Sequence, residues 1–127
     1  MHENIAKLML RVMVGGLMLF HGIYKATHGI APIKGMLAAH HLPDFFGYGV
    51  YVGEILAPIF LIMGWKSRWW AGIIAVTMAG AIYLAHSKDI FAINAHGAWS
   101  IELPMLFFLS SLAIVLLGSG KYAIIRD

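Results

Sequence analysis

Leu8 to Lys25, LMLRVMVGGLMLFHGIYK, is an apolar run of helix length that carries three groups hydrocarbon does not solvate: Arg11, His21 and Lys25. A charged side chain at the centre of a bilayer costs about 2.5 to 3.5 kcal/mol on insertion scales, so such a residue calls for a partner and marks a candidate functional site. A spanning helix with a polar face sets the fold, and that face needs partners from the rest of the chain.

The whole chain supports a membrane setting. Its 127 residues are 61% hydrophobic and 12% charged, with a mean hydropathy of +0.80, whereas soluble domains run near 45–50% apolar and about 25% charged. At about 20 residues per span, this length accommodates four helices in one domain covering residues 1–127. The formal charge of +3 then reads as positive-inside bias and not as a nucleic-acid surface. The chain contains no cysteine, which excludes disulfides, zinc thiolates, iron–sulfur ligation and a thiol nucleophile. Lys7 and Arg11 ahead of an apolar core resemble a secretory signal, but no small-x-small cleavage site follows, and the run is read as a retained first helix.

Four spans are predicted, at approximately 5–24, 47–64, 69–86 and 101–117. Between the first two, Ile33, Met36, Leu37 and His40 recur at helical spacing and predict a short amphipathic or re-entrant piece. Pro43 and Asp44 open the second span, which is apolar except for Glu54. Pro58 lacks the N–H that would bond the Glu54 carbonyl, so a local kink is expected beside the acid. Trp65, Lys66, Ser67 and Arg68 form a basic turn. IFAINAHGAWS, residues 90–100, is too polar to span and is read as an interfacial loop, with Ser100 as N-cap of the last span. Gly72, Ala75, Ala79 and Gly80 give the third span small positions suited to helix packing, within the chain or in a homo-oligomer.

Orientation follows from the basic residues. With the N-terminus cytoplasmic, that side has Lys7, Arg11, Lys66, Arg68, Lys121 and Arg126 against Lys25, Lys34 and Lys88, so both termini are expected inside. Trp65, Trp69 and Trp70 then form an inner aromatic belt, and Tyr24, Phe45, Phe46, Tyr48 and Trp99 an outer one. These are interface anchors, with a ring-stacking role toward a quinone as the alternative for one or two of the outer rings.

Helical geometry groups the polar residues. Arg11, Gly15, Met18, Gly22 and Lys25 follow steps of four, three, four and three and share one stripe, with His21 beside it. Glycines on that stripe admit a neighbouring backbone. Depth arithmetic converges His21, Lys25, Glu54, His86 and Glu102 on an outer-half cluster with Arg11 below, the natural pairs being Glu54 with Arg11 or Lys25, and Glu102 with Lys25 or His86. The bland alternative has Arg11 and Lys25 snorkelling and His86 and Glu102 as interfacial end residues. A short carboxylate two turns into a span does not snorkel easily, which leaves Glu54 as the residue most in need of explanation. His28, His40, His41 and His96 have no carboxylate at HExxH-like spacing, and no metal site is expected.

LMLRVMVGGLMLFHGIYK, VGEILAPIFLIMGWKSRWWAG and SIELPMLFFLSSLAIVLLGSGKYAI together resemble the DoxX family of small bacterial membrane proteins across nearly the whole chain. The family's pattern falls on Arg11, Gly15, Gly22 and Lys25, then Glu54, Gly64 and Arg68, then Glu102 and the Gly118–Ser119–Gly120–Lys121–Tyr122 turn, where Ser119 replaces a proline. The resemblance implies a four-transmembrane-helix all-α bundle in the bacterial inner membrane with a respiratory or redox association, linked in the family to quinone and to partner subunits. Two readings follow. In one, the cluster binds a quinone head group, Lys25 or His21 donating to a carbonyl and Glu54 or Glu102 handling protons, with no covalently bound cofactor. In the other, the chain is a non-catalytic scaffold or lipophile-binding protein whose polar cluster locks the bundle.

Overall fold

A computed structural model describes residues 1–87 and 90–127; Lys88, Asp89 and the side chain of His86 lie outside the described residues. Among the described residues the chain is all-α apart from one antiparallel bridge between Ile93 and Trp99. Its helices are α1 (His2–His28), α2 (Ala31–Ala39), α3 (Asp44–Met63), α4 (Ser67–His86) and α5 (Glu102–Leu117). Three of these, α1, α3 and α4, are long and apolar enough to cross a membrane, and α5 is a shorter apolar helix of 16 residues. Val14 and Met18 of α1, Ala57 and Leu61 of α3, Ala71, Ile74 and Met78 of α4, and Phe107 and Ile114 of α5 form the core between them.

The short helix expected near Ile33–His40 is α2, which starts on Pro32 in its first turn and buries Leu37. Lys34 donates to the Tyr48 hydroxyl at 2.9 Å, tying α2 to the first turn of α3. This bond holds the exposed ammonium above its ordinary range. His40, at the other end of α2, lies 5.1 Å from the Tyr83 ring on α4.

α3 is composite, and proline explains where. After a 3-10 turn (Asp44–Tyr48) and one α turn, Val52–Leu56 is π-helical, with Ala57 N–H bonding the Val52 carbonyl, before α geometry resumes over Ala57–Met63. Pro58 removes the donor to the Glu54 carbonyl, and its ring crowds that oxygen. A single π turn absorbs the mismatch where a kink was expected. Gly22 of α1 faces this spot: a Cβ there would collide with the Glu54 carbonyl oxygen and lie 2.6 Å from its carbon. Gly15, lower on the same stripe, has the Pro58 carbonyl oxygen 2.9 Å from where its Cβ would be. The glycine stripe is the contact line between α1 and α3, and it brings their backbones together at the acid.

At the opposite end, Gly64 (φ 80°) and Lys66 (φ 49°) both take left-handed conformations and reverse the chain into α4. The segment after α5 folds back beneath this turn. Ile124 and Ile125 donate to the Met63 and Gly64 carbonyls, Lys121 N–H to Asn4, and Asp127 accepts from the Ser119 and Arg68 N–H groups. Both termini therefore sit at one end of the bundle, called the base here.

The loop of residues 90–100 is a small hairpin: Asn94 Oδ1 accepts from His96 and Ala98 N–H, and Gly97 turns at φ 81°. Ser100 does not cap α5 as expected. Its N–H is committed to the Ala92 carbonyl across the hairpin, and Ile101 occupies the N-cap position.

Gly22→Ala is expected to destabilise by about 1 to 3 kcal/mol, because the methyl meets backbone that cannot rotate away. Gly80→Ala, whose Cβ meets nothing within 4 Å, is expected to be neutral or to gain up to about 1 kcal/mol from helix propensity. Thermal melts of both variants in detergent, followed by circular dichroism, check the contrast.

Candidate functional site

The close approach at Gly22 places Lys25, one turn further along α1, over the carboxylate of Glu54. Lys25 Nζ donates to Oε2 at 2.6 Å and to Oε1 at 2.8 Å. Burial is unequal: the Glu54 side chain is 3% exposed and that of Lys25 30%. A carboxylate out of water requires a compensating charge, and the low local dielectric strengthens the pair once formed. The Tyr51 hydroxyl, one turn before Glu54, points to the Lys25 carbonyl at 3.4 Å.

Of the two partners offered for Glu54, the structure supplies Lys25 and sends Arg11 elsewhere. Glu54 is nine residues above Met63, or about 14 Å along the helix at 1.5 Å per residue, while Arg11 lies level with Gly64. The guanidinium is 1% exposed, fills the space left by the missing Gly64 side chain, and donates through Nη2 to the Tyr122 carbonyl. It neither snorkels to solvent nor joins the cluster, and instead fastens the returning C-terminal segment to α1. Its Nε and Nη1 have no partner among the described residues.

Of the remaining cluster members, His21 and Glu102 do not converge on the pair. His21 is exposed on the side of α1 facing α5, edge-on to Phe107 with ring centroids 5.7 Å apart. A step of four from Lys25 keeps it near that residue along the axis, but the Lys25 side is turned to α3 and the His21 side to α5. Glu102 is exposed in the first turn of α5; its N–H bonds the Trp99 carbonyl, and its carboxylate has no hydrogen-bond partner among the described residues. The side chain of His86 falls outside them. His40 lies tilted against Tyr83, and His28 stacks on Tyr24 with centroids 4.0 Å apart. Among the described residues no group of three or more His, Asp or Glu side chains is placed to hold a metal ion.

The pair opens onto a groove of about 1200 Å³ bounded by α2, α3 and α4. Drug-sized ligand sites usually span about 300 to 1,000 Å³, so the space admits a ring together with part of a chain. It is unsealed along its length: Val76 is 73% and Trp69 65% exposed. Near the floor, the polar side chains are Lys25, Glu54 and Thr77, set in an apolar lining that includes Ile33, Phe46, Ile73 and Tyr83. Its width comes from glycines, because a Cβ at Gly49 or Gly80 would meet nothing within 4 Å.

Sequence reasoning missed Thr77, whose hydroxyl donates to the Ile73 carbonyl at 2.8 Å and whose side chain packs on Gly53. A lone threonine in an apolar helix gives no periodic signal. The hint available was a polar residue midway along α4, at the depth where Glu54 lies on α3.

The class defined by these features is an all-α membrane protein in which a half-buried lysine pairs with a buried glutamate in an open, largely apolar groove. Comparison with known proteins agrees. The DoxX family model matches residues 6–87, and the chain belongs to that family. It is also similar to a Bacillus subtilis (strain 168) protein named putative oxidoreductase CatD, with 28% identity over 123 residues, 95% of this chain and 85% of that protein. No solved structure matches the chain.

Removing one partner of a buried pair costs about 3 to 5 kcal/mol because the other charge is left behind. The unequal burial makes the two single losses unequal. Lys25→Met strands a carboxylate in the interior and is expected in that range; Glu54→Gln leaves an ammonium that can turn into the groove and should cost about 1 kcal/mol, the scale of one lost hydrogen bond. The double variant should be more stable than Lys25→Met alone. Denaturant titration of all four proteins in one detergent measures the cycle.

Proposed function

We propose that the groove binds a lipophile with a small polar ring, a quinone or quinol, with its head group at Lys25 and Glu54 and its tail along α4. What supports the reading most is that an ion pair lies at the floor of a groove open to lipid rather than inside the core. Lys25 has a third N–H beyond the two bonded to Glu54, suited to a quinone carbonyl, and the carboxylate oxygens retain lone pairs for a quinol hydroxyl. Converting quinone to quinol takes two electrons and two protons. Glu54 is ionised in the pair, so it takes up a proton from water and hands it to a ring oxygen, once for each of the two protons, and with no cysteine in the chain the electrons come from a partner redox subunit. The name of the Bacillus relative, an oxidoreductase, is in keeping with this.

In this reading α1, α3, α4 and α5 all span the bacterial cytoplasmic membrane with the base on the cytoplasmic side. Lys7, Arg11, Lys66, Arg68, Lys121 and Arg126 gather at that end, in accord with the positive-inside rule. At about 24 Å, α5 is shorter than a typical hydrocarbon core, and local thinning of the bilayer accommodates it.

A second reading has one observation in its favour: Lys25 already engages both oxygens of Glu54. The pair then acts only as a lock between α1 and α3, in a non-catalytic scaffold.

Extraction and mass spectrometry of the lipophiles retained by the protein in mild detergent separate the two. The expected result is quinone above membrane background, reduced about tenfold or more in Gly80→Leu, which fills the groove without touching the pair, and in Glu54→Gln. A tenfold loss corresponds to about 1.4 kcal/mol. Equal quinone in the parent, in Gly80→Leu and in bulk membrane would leave the scaffold reading.

A further inference from the structure

At the base a second cavity of about 500 Å³ is lined by Trp65, Lys66, Arg68, Trp69, Ile125 and Asp127. Arg68 and Trp69 also line the large groove, so the two spaces share a wall. The base cavity holds two exposed cations. The left-handed backbone at Lys66 sets its ammonium over the Trp65 ring, 5.1 Å from the centroid. The Arg68 guanidinium lies beside Gly118, where a Cβ would be 2.9 Å from Nε and Nη2. Among the described residues neither cation has a side-chain hydrogen bond. The acid present, Asp127, is occupied: Oδ1 accepts from Ser119 N–H and Oδ2 from Arg68 N–H. Its charge is directed at backbone donors and leaves the two side-chain cations with donors to spare.

Two indoles beside two cations, at the level where helices turn around, are the composition of a headgroup-level site. From there the shared wall leads up α4 past Trp69, Gly72, Ile73 and Val76, an apolar track whose narrowest side chain is a glycine. A free anion has no use for such a track, and an uncharged lipid has none for the cations.

We propose that the base cavity binds an anionic phospholipid, with the phosphate between Lys66 and Arg68 and one acyl chain lying in the lower part of the groove along Trp69, Gly72, Ile73 and Val76. The proposal needs neither Lys25 nor Glu54 and so survives failure of the quinone reading, although its acyl chain shares the track along α4 with the quinone tail.

Native mass spectrometry of the full chain in detergent, with phosphatidylglycerol or phosphatidylcholine of matched chains added, tests it. Phosphatidylglycerol adducts should exceed phosphatidylcholine adducts, and each cation removed should weaken phosphatidylglycerol binding about fivefold, the scale of one basic residue at a lipid surface. Lys66→Gln, which loses only the stack on Trp65, reads this without disturbing the base; Arg68→Gln and the double variant extend it. Inorganic phosphate at millimolar concentration should not displace the lipid. Equal binding of the two lipids, undiminished phosphatidylglycerol binding in Lys66→Gln, or full displacement by inorganic phosphate would overturn the proposal. If Arg68→Gln does not fold, the Lys66→Gln result decides.

Discussion

A carboxylate buried among apolar helices has to be neutralised before those helices can close, and Glu54 meets that requirement with Lys25 from the next helix. The local architecture serves this contact. Pro58 denies the Glu54 carbonyl its normal donor, the π turn takes up the slack, and Gly22 lets α1 approach the same carbonyl. That approach brings Lys25 within 2.6 Å of the acid. Burying an ion pair is seldom a net gain in stability over a well-packed apolar pair, so holding one here is better explained by specificity of packing or by chemistry than by stability. The groove beside it favours chemistry.

The second charged residue on the stripe solves a different problem. Arg11 is buried at the base, and its hydrogen bond to the Tyr122 carbonyl draws the C-terminal segment under the turn between α3 and α4. Both termini thereby become part of the packed structure. One stripe on α1 does two jobs about two-thirds of a membrane apart: it clamps the base with Arg11 and builds the site with Lys25. The glycines between allow α3 to follow it closely.

Much of this was legible in the sequence, for definable reasons. Helix arithmetic places Lys25, Gly22 and Arg11 on one face and Glu54 between the depths of His21 and Arg11, which leaves both cations as partners, and a proline four residues after an acid marks a backbone fault whatever the neighbours are. Depth alone, however, does not fix the face. His21 is close to Lys25 along the axis yet turned toward Phe107, and Glu102 begins α5 on the outside. The sequence offers Arg11 as a partner for Glu54 from below the cluster because nothing periodic in Ser119–Asp127 announces that this segment folds back. The groove was invisible for a similar reason. It depends on where α2 lies and on space left at Gly49 and Gly80, and empty space has no sequence signature. Gly80 in particular reads as a packing position, but a Cβ there would touch nothing.

The central claim is that a quinone-like ligand occupies the groove over the Lys25–Glu54 pair. Photolabelling of the membrane-embedded protein with an azido-quinone, followed by peptide mapping, tests it most directly. The account predicts adducts confined to the groove faces of α3 and α4, around Gly49–Glu54 and Ile73–Tyr83, and suppressed by excess unlabelled quinone. Adducts spread over the exposed leucines of α5 and insensitive to competitor would contradict it.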